Sequence, residues 1–361
     1  ISAIDELKIL DPACGSGAFP MGALQKIVFI LQQLDPNGQY WFKAQIKNVP
    51  VELRKNLERE HSEKNFDYIR KLGVIRRNIF GVDIQPIATE ISRLRCFLTL
   101  IVDQKVDDSK DNRGIDPLPN LDFKFVTANS LISLPEKENS KETIGMFEDT
   151  NRINELKDIR DQFFNASNFE RIELKDQFRK IQLEMSKYYN SVKSAGAELT
   201  EMLLSWDPFS HKTTGWFDPE WMFGIKDGFD IVIGNPPYNQ LQTEEGKLAE
   251  LYKEENFESF ERTGDIYVLF YENASRLLST EGFLCFITSN KWLRAKYGRK
   301  LRNFLSRNTT PKILFDLGPG IFNSATVDTN ILIYENRVYK TLTRACTLKA
   351  EFNNQNANLR N

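Results

Sequence analysis

Three short segments carry residue types that can do chemistry together. The first is Asp11-Pro12-Ala13-Cys14-Gly15-Ser16-Gly17-Ala18-Phe19. Gly15 and Gly17 let the backbone turn tightly and approach a ligand, and a helix opening just beyond them offers free N–H groups. Asp11 places a carboxylate where a phosphate would be repelled and a cation welcomed, and the Lys-Ser/Thr pair of a phosphate-binding loop is absent. The second is Gly81-Val82-Asp83-Ile84. An acid ending the second strand of an α/β fold can accept both ribose hydroxyls of a nucleoside, although Asp83 could equally cap the helix that begins at Pro86. The third is Asn235-Pro236-Pro237-Tyr238. Two prolines hold the backbone extended, so the Asn side chain and the Pro236 carbonyl present two acceptors side by side, suited to a planar amino group. Tyr238 adds an aromatic face that can stack on a base; the bland alternative is a stiffened turn closing a buried strand.

The elements that must position these segments are short apolar runs alternating with helical periodicity, the pattern of a parallel sheet covered by helices. Strands are expected at Lys8–Leu10, Ile79–Val82, Phe123–Val126, Phe229–Ile233, Phe283–Thr288, Lys312–Leu317 and Asn330–Tyr334. In Ala18–Leu34, Leu24, Ile27, Val28, Leu31 and Leu34 recur at helical spacing, and Pro86–Val102 and Ile266–Leu278 behave likewise. Each of the three segments therefore follows a strand. A polar insertion at about 40–70 lengthens the first crossover within 1–135. At 136–205, Leu174, Phe178, Ile181, Met185 and Tyr188 share one helical face. That region is expected to be a helical hairpin projecting from the sheet, either packed on the core domain or acting as a DNA or partner clamp. A second catalytic half would span 206–340, and 341–361 reads as a polar tail without a packing pattern.

Composition bounds the possibilities. The 361 residues carry 48 Lys+Arg against 50 Asp+Glu, a net charge of −2, which excludes a uniformly basic nucleic-acid binder and requires any DNA contact to be local or to lie outside this sequence. Cys14, Cys96, Cys285 and Cys346 suggest neither a metal site nor a disulfide framework, and two His add no ligand cluster, so no metal is expected and a reducing, cytoplasmic compartment is. No apolar run approaches membrane-spanning length, and Asp5, Glu6 and Lys8 precede the first apolar run, unlike a signal peptide.

The three segments together resemble the DNA methyltransferases that modify adenine at N6 with S-adenosylmethionine. The Asp-Pro-Ala-Cys-Gly-Ser-Gly-x-Phe form and Asn235-Pro236-Pro237-Tyr238 carry the likeness, and their order is similar to the gamma arrangement. Trp221-Met222-Phe223-Gly224 leading into Gly228–Tyr238 resembles the methylase part of type IIG restriction-modification enzymes and related phage-defence adenine methylases. The likeness covers about 8–340 apart from the two insertions. It implies a Rossmann-like class I S-adenosylmethionine-dependent α/β fold, a mostly parallel seven-stranded sheet with the last strand antiparallel, helices on both faces and a helical insertion. It also implies double-stranded DNA as partner and a bacterial or archaeal cytoplasm. Asp11 and the backbone of Ala13, Cys14, Gly15 and Gly17 would meet the methionine part of the cofactor, with Phe19 nearby, Asp83 on the ribose and Ile84 on the adenine ring. Asn129, with Ser130 beside it, stands where the family usually has an Asp for the cofactor's adenine amino group, and keeps an acceptor without the charge. Asp265 and Tyr267 match a helix flanking the cofactor, and Phe322 would be the second aromatic wall around a flipped base.

The family's gamma members also carry a cofactor-contacting segment upstream of the first strand and a recognition domain after the last. The chain is therefore expected to be an excised catalytic core, inactive or weakly active alone. A cytosine C5 mechanism would need Cys after Pro, and none of the four cysteines follows one. Cytosine N4 enzymes more often have Ser where this chain has Asn235, though the chemistry alone leaves cytosine open, and a protein-glutamine methyltransferase and a non-catalytic DNA-binding subunit are further alternatives.

Overall fold

The computed structural model describes residues 1–47, 51–63, 65–104, 106–109, 111–115, 120–134, 147–164, 166, 168–191, 197–210, 212–321 and 327–348. The chain forms two units, one of residues 1–8 and 14–226, the other of residues 9–13 and 227–361.

In the first unit, helix α1 (Ser2–Glu6) precedes α2 (Ala18–Leu34), which begins where Gly17 adopts the left-handed φ of 81°. Leu24, Ile27, Val28 and Leu31 bury its inner face, as their spacing requires. The polar insertion folds into α3 (Gln39–Gln45), α4 (Val51–Ser62) and the start of α5 (Phe66–Arg77). It is anchored by Trp41, fully buried, whose Nε1 donates to the Ile69 carbonyl at 3.3 Å. Strands β2 (Ile79–Asp83) and β3 (Phe125–Thr127) pair in parallel, Gly81 opposite Phe125 and Asp83 opposite Thr127. A Cβ at Gly81 would lie 2.7 Å from the Phe125 ring, so no larger residue fits.

Helix α6 (Pro86–Ile101) corrects the sequence expectation. Its inner face is Thr89, Ser92, Arg93, Cys96 and Leu100, whereas Ile87, Ile91, Leu94 and Leu98 point to solvent. Small and polar side chains face inward because the glycine loop packs there: a Cβ on Gly17 would meet Ser92 Oγ at 2.8 Å.

The second insertion holds α7 (Phe147–Phe163), α8 (Asn168–Ser191) and α9 (Ala197–Ser205), followed by α10 (Pro219–Phe223). Of the α8 stripe, Phe178 and Met185 are fully buried, Leu174 and Ile181 are half-buried, and the side chain of Tyr188 lies outside the described residues; Phe178 joins Phe123, Phe163 and Phe209 in edge-on and tilted aromatic contacts 5.0–6.2 Å apart.

In the second unit the order is β1 (Ile9–Asp11), β4 (Phe229–Gly234), β5 (Leu278–Ser289), β7 (Thr329–Glu335), β6 (Thr310–Gly318), β8 (Arg344–Thr347). β1, β4 and β5 run parallel, and β7 is antiparallel to both β5 and β6. The seventh strand is thus antiparallel as expected. An eighth, β8, was unforeseen: it pairs parallel to β6 within the supposed patternless tail. All four of its residues are exposed, so it has no buried face to leave an alternating signature. Helix α11 (Lys247–Lys253) precedes α12 (Tyr267–Leu277), buried on nearly every side, and α13 (Gly298–Asn308) precedes β6.

Candidate active site

In the second unit, β1 and β4 end side by side. Leu10 pairs with Val232, which brings Asp11 level with the end of β4. A Cβ on Gly234 would lie 2.7 Å from Asp11 Oδ1, so the residue before Asn235 must be glycine for the strand to pass. The sequence alone could not single Gly234 out, because the neighbour that forbids a side chain comes from a distant strand. Asp11 is buried and its Oδ1 accepts from the Ala13 N–H at 3.1 Å, which starts the loop.

Asn235 is half-buried, Pro236 buried and Pro237 exposed. The half-buried Tyr238 donates its hydroxyl to Asn235 Oδ1 at 2.5 Å, with the Ile287 carbonyl 3.5 Å away. Burial pushes the Tyr238 phenol up to about 12, so it remains a donor at any working pH. Its ring stands edge-on to Tyr267, centroids 5.9 Å apart. The segment after Tyr238 is tied down where Gln240 bridges to Asp265 and Asn239 accepts from Ile266 N–H at 2.8 Å. Asp265 is buried, and its Oδ2 accepts from Tyr297 at 2.8 Å; Tyr297 and Tyr267 share a hydroxyl contact of 2.8 Å. Burial raises both of these phenols, holding them protonated. Tyr297 was missed because nothing in its neighbourhood marks it. Phe322 lies outside the described residues.

In the first unit, the glycine loop closes on the end of β2. Cys14 N–H donates to the Val82 carbonyl at 2.9 Å and Gly15 N–H to Asp83 Oδ2 at 2.8 Å. The other oxygen, Oδ1, accepts from Gln85 N–H at 2.8 Å, a local turn that leads into α6; the helix's N-cap residue is Gln85, and no side chain caps it, so the expected capping role of Asp83 is not what the structure shows. Each carboxylate oxygen keeps acceptor capacity beyond these bonds, so holding the two turns and binding a ligand are compatible. Ser92 Oγ donates to the Gly15 carbonyl at 3.0 Å and stands 3.9 Å from Cys14 Sγ, a support that sequence reading missed. Gly15 takes φ 52° with open space around its missing side chain. Ile84 is half exposed, its apolar face free, and Phe19 is partly buried. Asn129 and Ser130 are buried after β3; Asn129 Oδ1 accepts from Leu131 N–H at 3.1 Å, which leaves less of it for a ligand than the sequence suggested.

Among the described residues no cluster of His, Cys, Asp or Glu could hold a metal ion, and no helix is long and apolar enough to cross a membrane.

Parallel strands that each present a loop at their C-terminal ends, with an antiparallel seventh strand, define a Rossmann-like class I methyltransferase fold. Residues 77–322 match the family model of the Eco57I restriction-modification methylases, and the chain belongs to that family. It is 27% identical to RM.MjaORFECS2P of Methanocaldococcus jannaschii, over 94% of this chain and 31% of that protein. It is 29% identical to the type II methyltransferase M.BstVI of Geobacillus stearothermophilus, over 38% of this chain and 26% of that protein. Of solved structures, the ATP-dependent Type ISP restriction-modification enzyme LlaBIII bound to DNA overlaps 95% of this chain and 17% of its own, at 13% identity and a TM-score of 0.46. The chain spans about a third or less of these relatives' lengths.

Proposed function

We propose that the chain is the methyl-transfer core of a restriction-modification enzyme, acting on N6 of an adenine flipped out of double-stranded DNA. The observation that carries this reading is the end of β4, where Asn235 Oδ1 is an oriented acceptor already holding a hydroxyl hydrogen in the resting state.

Adenine N6 is a poor nucleophile because its lone pair is delocalised into the ring. Asn235 Oδ1 and the Pro236 carbonyl would accept its two N–H groups and favour the pyramidal nitrogen needed for attack. Tyr238 would stack on the base; about 1–3 kcal/mol of stacking offsets part of the few kcal/mol that flipping costs. None of the four cysteines is needed, and Cys96 and Cys285 have thiols that burial pushes up to about 12 and about 11.

The cradle fits S-adenosylmethionine: Gly15 faces open space, Asp83 offers two carboxylate oxygens, and Ile84 exposes an apolar face. When bound, that cofactor supplies an electrophilic methyl group. Asp83 would hold the ribose hydroxyls, Ile84 the adenine ring, and the glycine loop the methionine end, with Phe19, Asn129 and Ser130 around them.

The test is transfer of labelled methyl groups to duplex DNA by the full-length protein that contains this chain, followed by mass spectrometry of the digested product. N6-methyladenine is expected. N4-methylcytosine, or label appearing only on a glutamine-bearing protein, would overturn the reading.

A further inference from the structure

At the opposite end of β2 and β3 from Asp83 and Asn129, the first unit contains a cavity of about 250 Å³. Six cationic side chains line it, Lys8, Lys47, Arg76, Arg77, Lys124 and Arg160, with Asp161 as the one acid. Their partners differ. Arg77 is paired, its guanidinium donating to both oxygens of Asp5 at 2.8 and 2.6 Å, and Arg160 contacts Asp161 at 2.8 Å. Arg76 instead donates to the neutral Gln45, to its carbonyl at 2.9 Å and its Oε1 at 2.7 Å. Burial and the neighbouring Arg77 bring Arg76 down to about 10.

Lys124 is the most telling of the six. It is 9% exposed, and its Nζ has no hydrogen-bond or ion-pair partner among the described residues. It lies 3.8 Å from the centre of the Phe80 ring, which also lines the cavity. Burial, then Lys8, Arg76 and Arg77, hold its ammonium well below its usual range. Leaving a buried ammonium without an anion is costly, and an apolar residue of the same length would fill the site at less expense. A lysine there makes physical sense if an anion completes it.

We propose that this cavity binds a small phosphate-type oxyanion, as inorganic phosphate or a terminal phosphoryl group. Exposed Lys47 and half-exposed Arg77 would draw the anion in, and Arg76 and Lys124 would hold it from the more buried side. A phosphodiester inside a duplex is flanked by sugar on both sides, and only a terminal or free phosphoryl group can put its oxygens against a side chain this deeply set. The site lies apart from the proposed cofactor cradle and does not depend on it.

Calorimetry and thermal unfolding with inorganic phosphate, against chloride at equal ionic strength, test the proposal directly. Saturable binding and a rise in Tm beyond chloride are expected. Lys124→Met, which removes the uncompensated cation without opening a cavity, should weaken phosphate at least 10-fold. Should that variant fail to fold, Arg76→Gln at the less buried wall should weaken it about 5- to 10-fold. Asp5→Asn, which releases Arg77, should tighten it severalfold. A blunt duplex with hydroxyl ends should not displace phosphate. No stabilisation beyond chloride, unchanged binding in both the Lys124 and Arg76 variants, or displacement by the blunt duplex would each overturn the proposal.

Discussion

The Tyr238 hydroxyl donates to Asn235 Oδ1 at 2.5 Å, so the residue expected to stack on a base also occupies the acceptor expected to receive its amino group. A substrate amino group must displace that hydroxyl, while the ring stays available for stacking. Tyr238→Phe should therefore keep kcat/KM within about 3-fold, whereas Tyr238→Ala should lower it about 10- to 100-fold, matching about 1–3 kcal/mol of stacking. Steady-state rates on one duplex compare the two; equal losses would show that the hydroxyl and not the ring matters.

Because the Tyr238 phenol is pushed up to about 12 by burial, its ionisation should add no limb to the rate profile between pH 7 and 10. The profile of Tyr238→Phe should superimpose on that of the parent over this range.

Asn235→Ala should abolish methyl transfer while leaving cofactor affinity within about 2-fold, because in the proposed function its acceptor meets the base and not the cofactor. Calorimetry with S-adenosylmethionine and a labelled-transfer assay on the same preparation separate the two effects.

Asp83→Ala should weaken the cofactor about 10- to 100-fold, following about 1.5–3 kcal/mol for hydrogen bonds to a charged group. It should also lower stability by about 1 kcal/mol, since Asp83 bonds the Gly15 and Gln85 N–H groups. A loss of stability with unchanged cofactor affinity would reduce Asp83 to a support of the two turns it bonds.

Asp5 sets an acid limit on stability. Burial opposes its ionisation, but hydrogen bonds from Arg77 and Gln45 outweigh it and hold the carboxyl below its usual 3.8. A depressed folded-state value means the contribution is present above 3.8 and is lost as pH falls through the folded value. Urea midpoints should drop below about pH 4 in the parent, and Asp5→Asn should flatten that part of the curve.

Much of this protein was legible in its residues because the signals are local. Apolar runs at Ile79, Phe229 and Asn330 mark strands by period alone, and Gly15, Gly17 and the prolines of Asn235–Tyr238 dictate backbone shape wherever they stand. The three loops could thus be assigned to strand ends before any contact was known.

What only the tertiary structure decided depends on partners distant in sequence. Helix α6 turns Thr89, Ser92 and Cys96 inward and Ile87, Ile91, Leu94 and Leu98 outward, and at Ser92 the Gly17 turn packs too closely for a larger side chain. β8 left no alternating pattern because neither of its faces is buried. Gly234 is required by Asp11 on the neighbouring strand, and Lys124 becomes a buried cation only when β2 and β3 bring Phe80 and Arg76 beside it. Periodicity reports which residues are buried together along one element; it carries no information about which other element supplies the neighbour, and at each of these positions that neighbour sets the role.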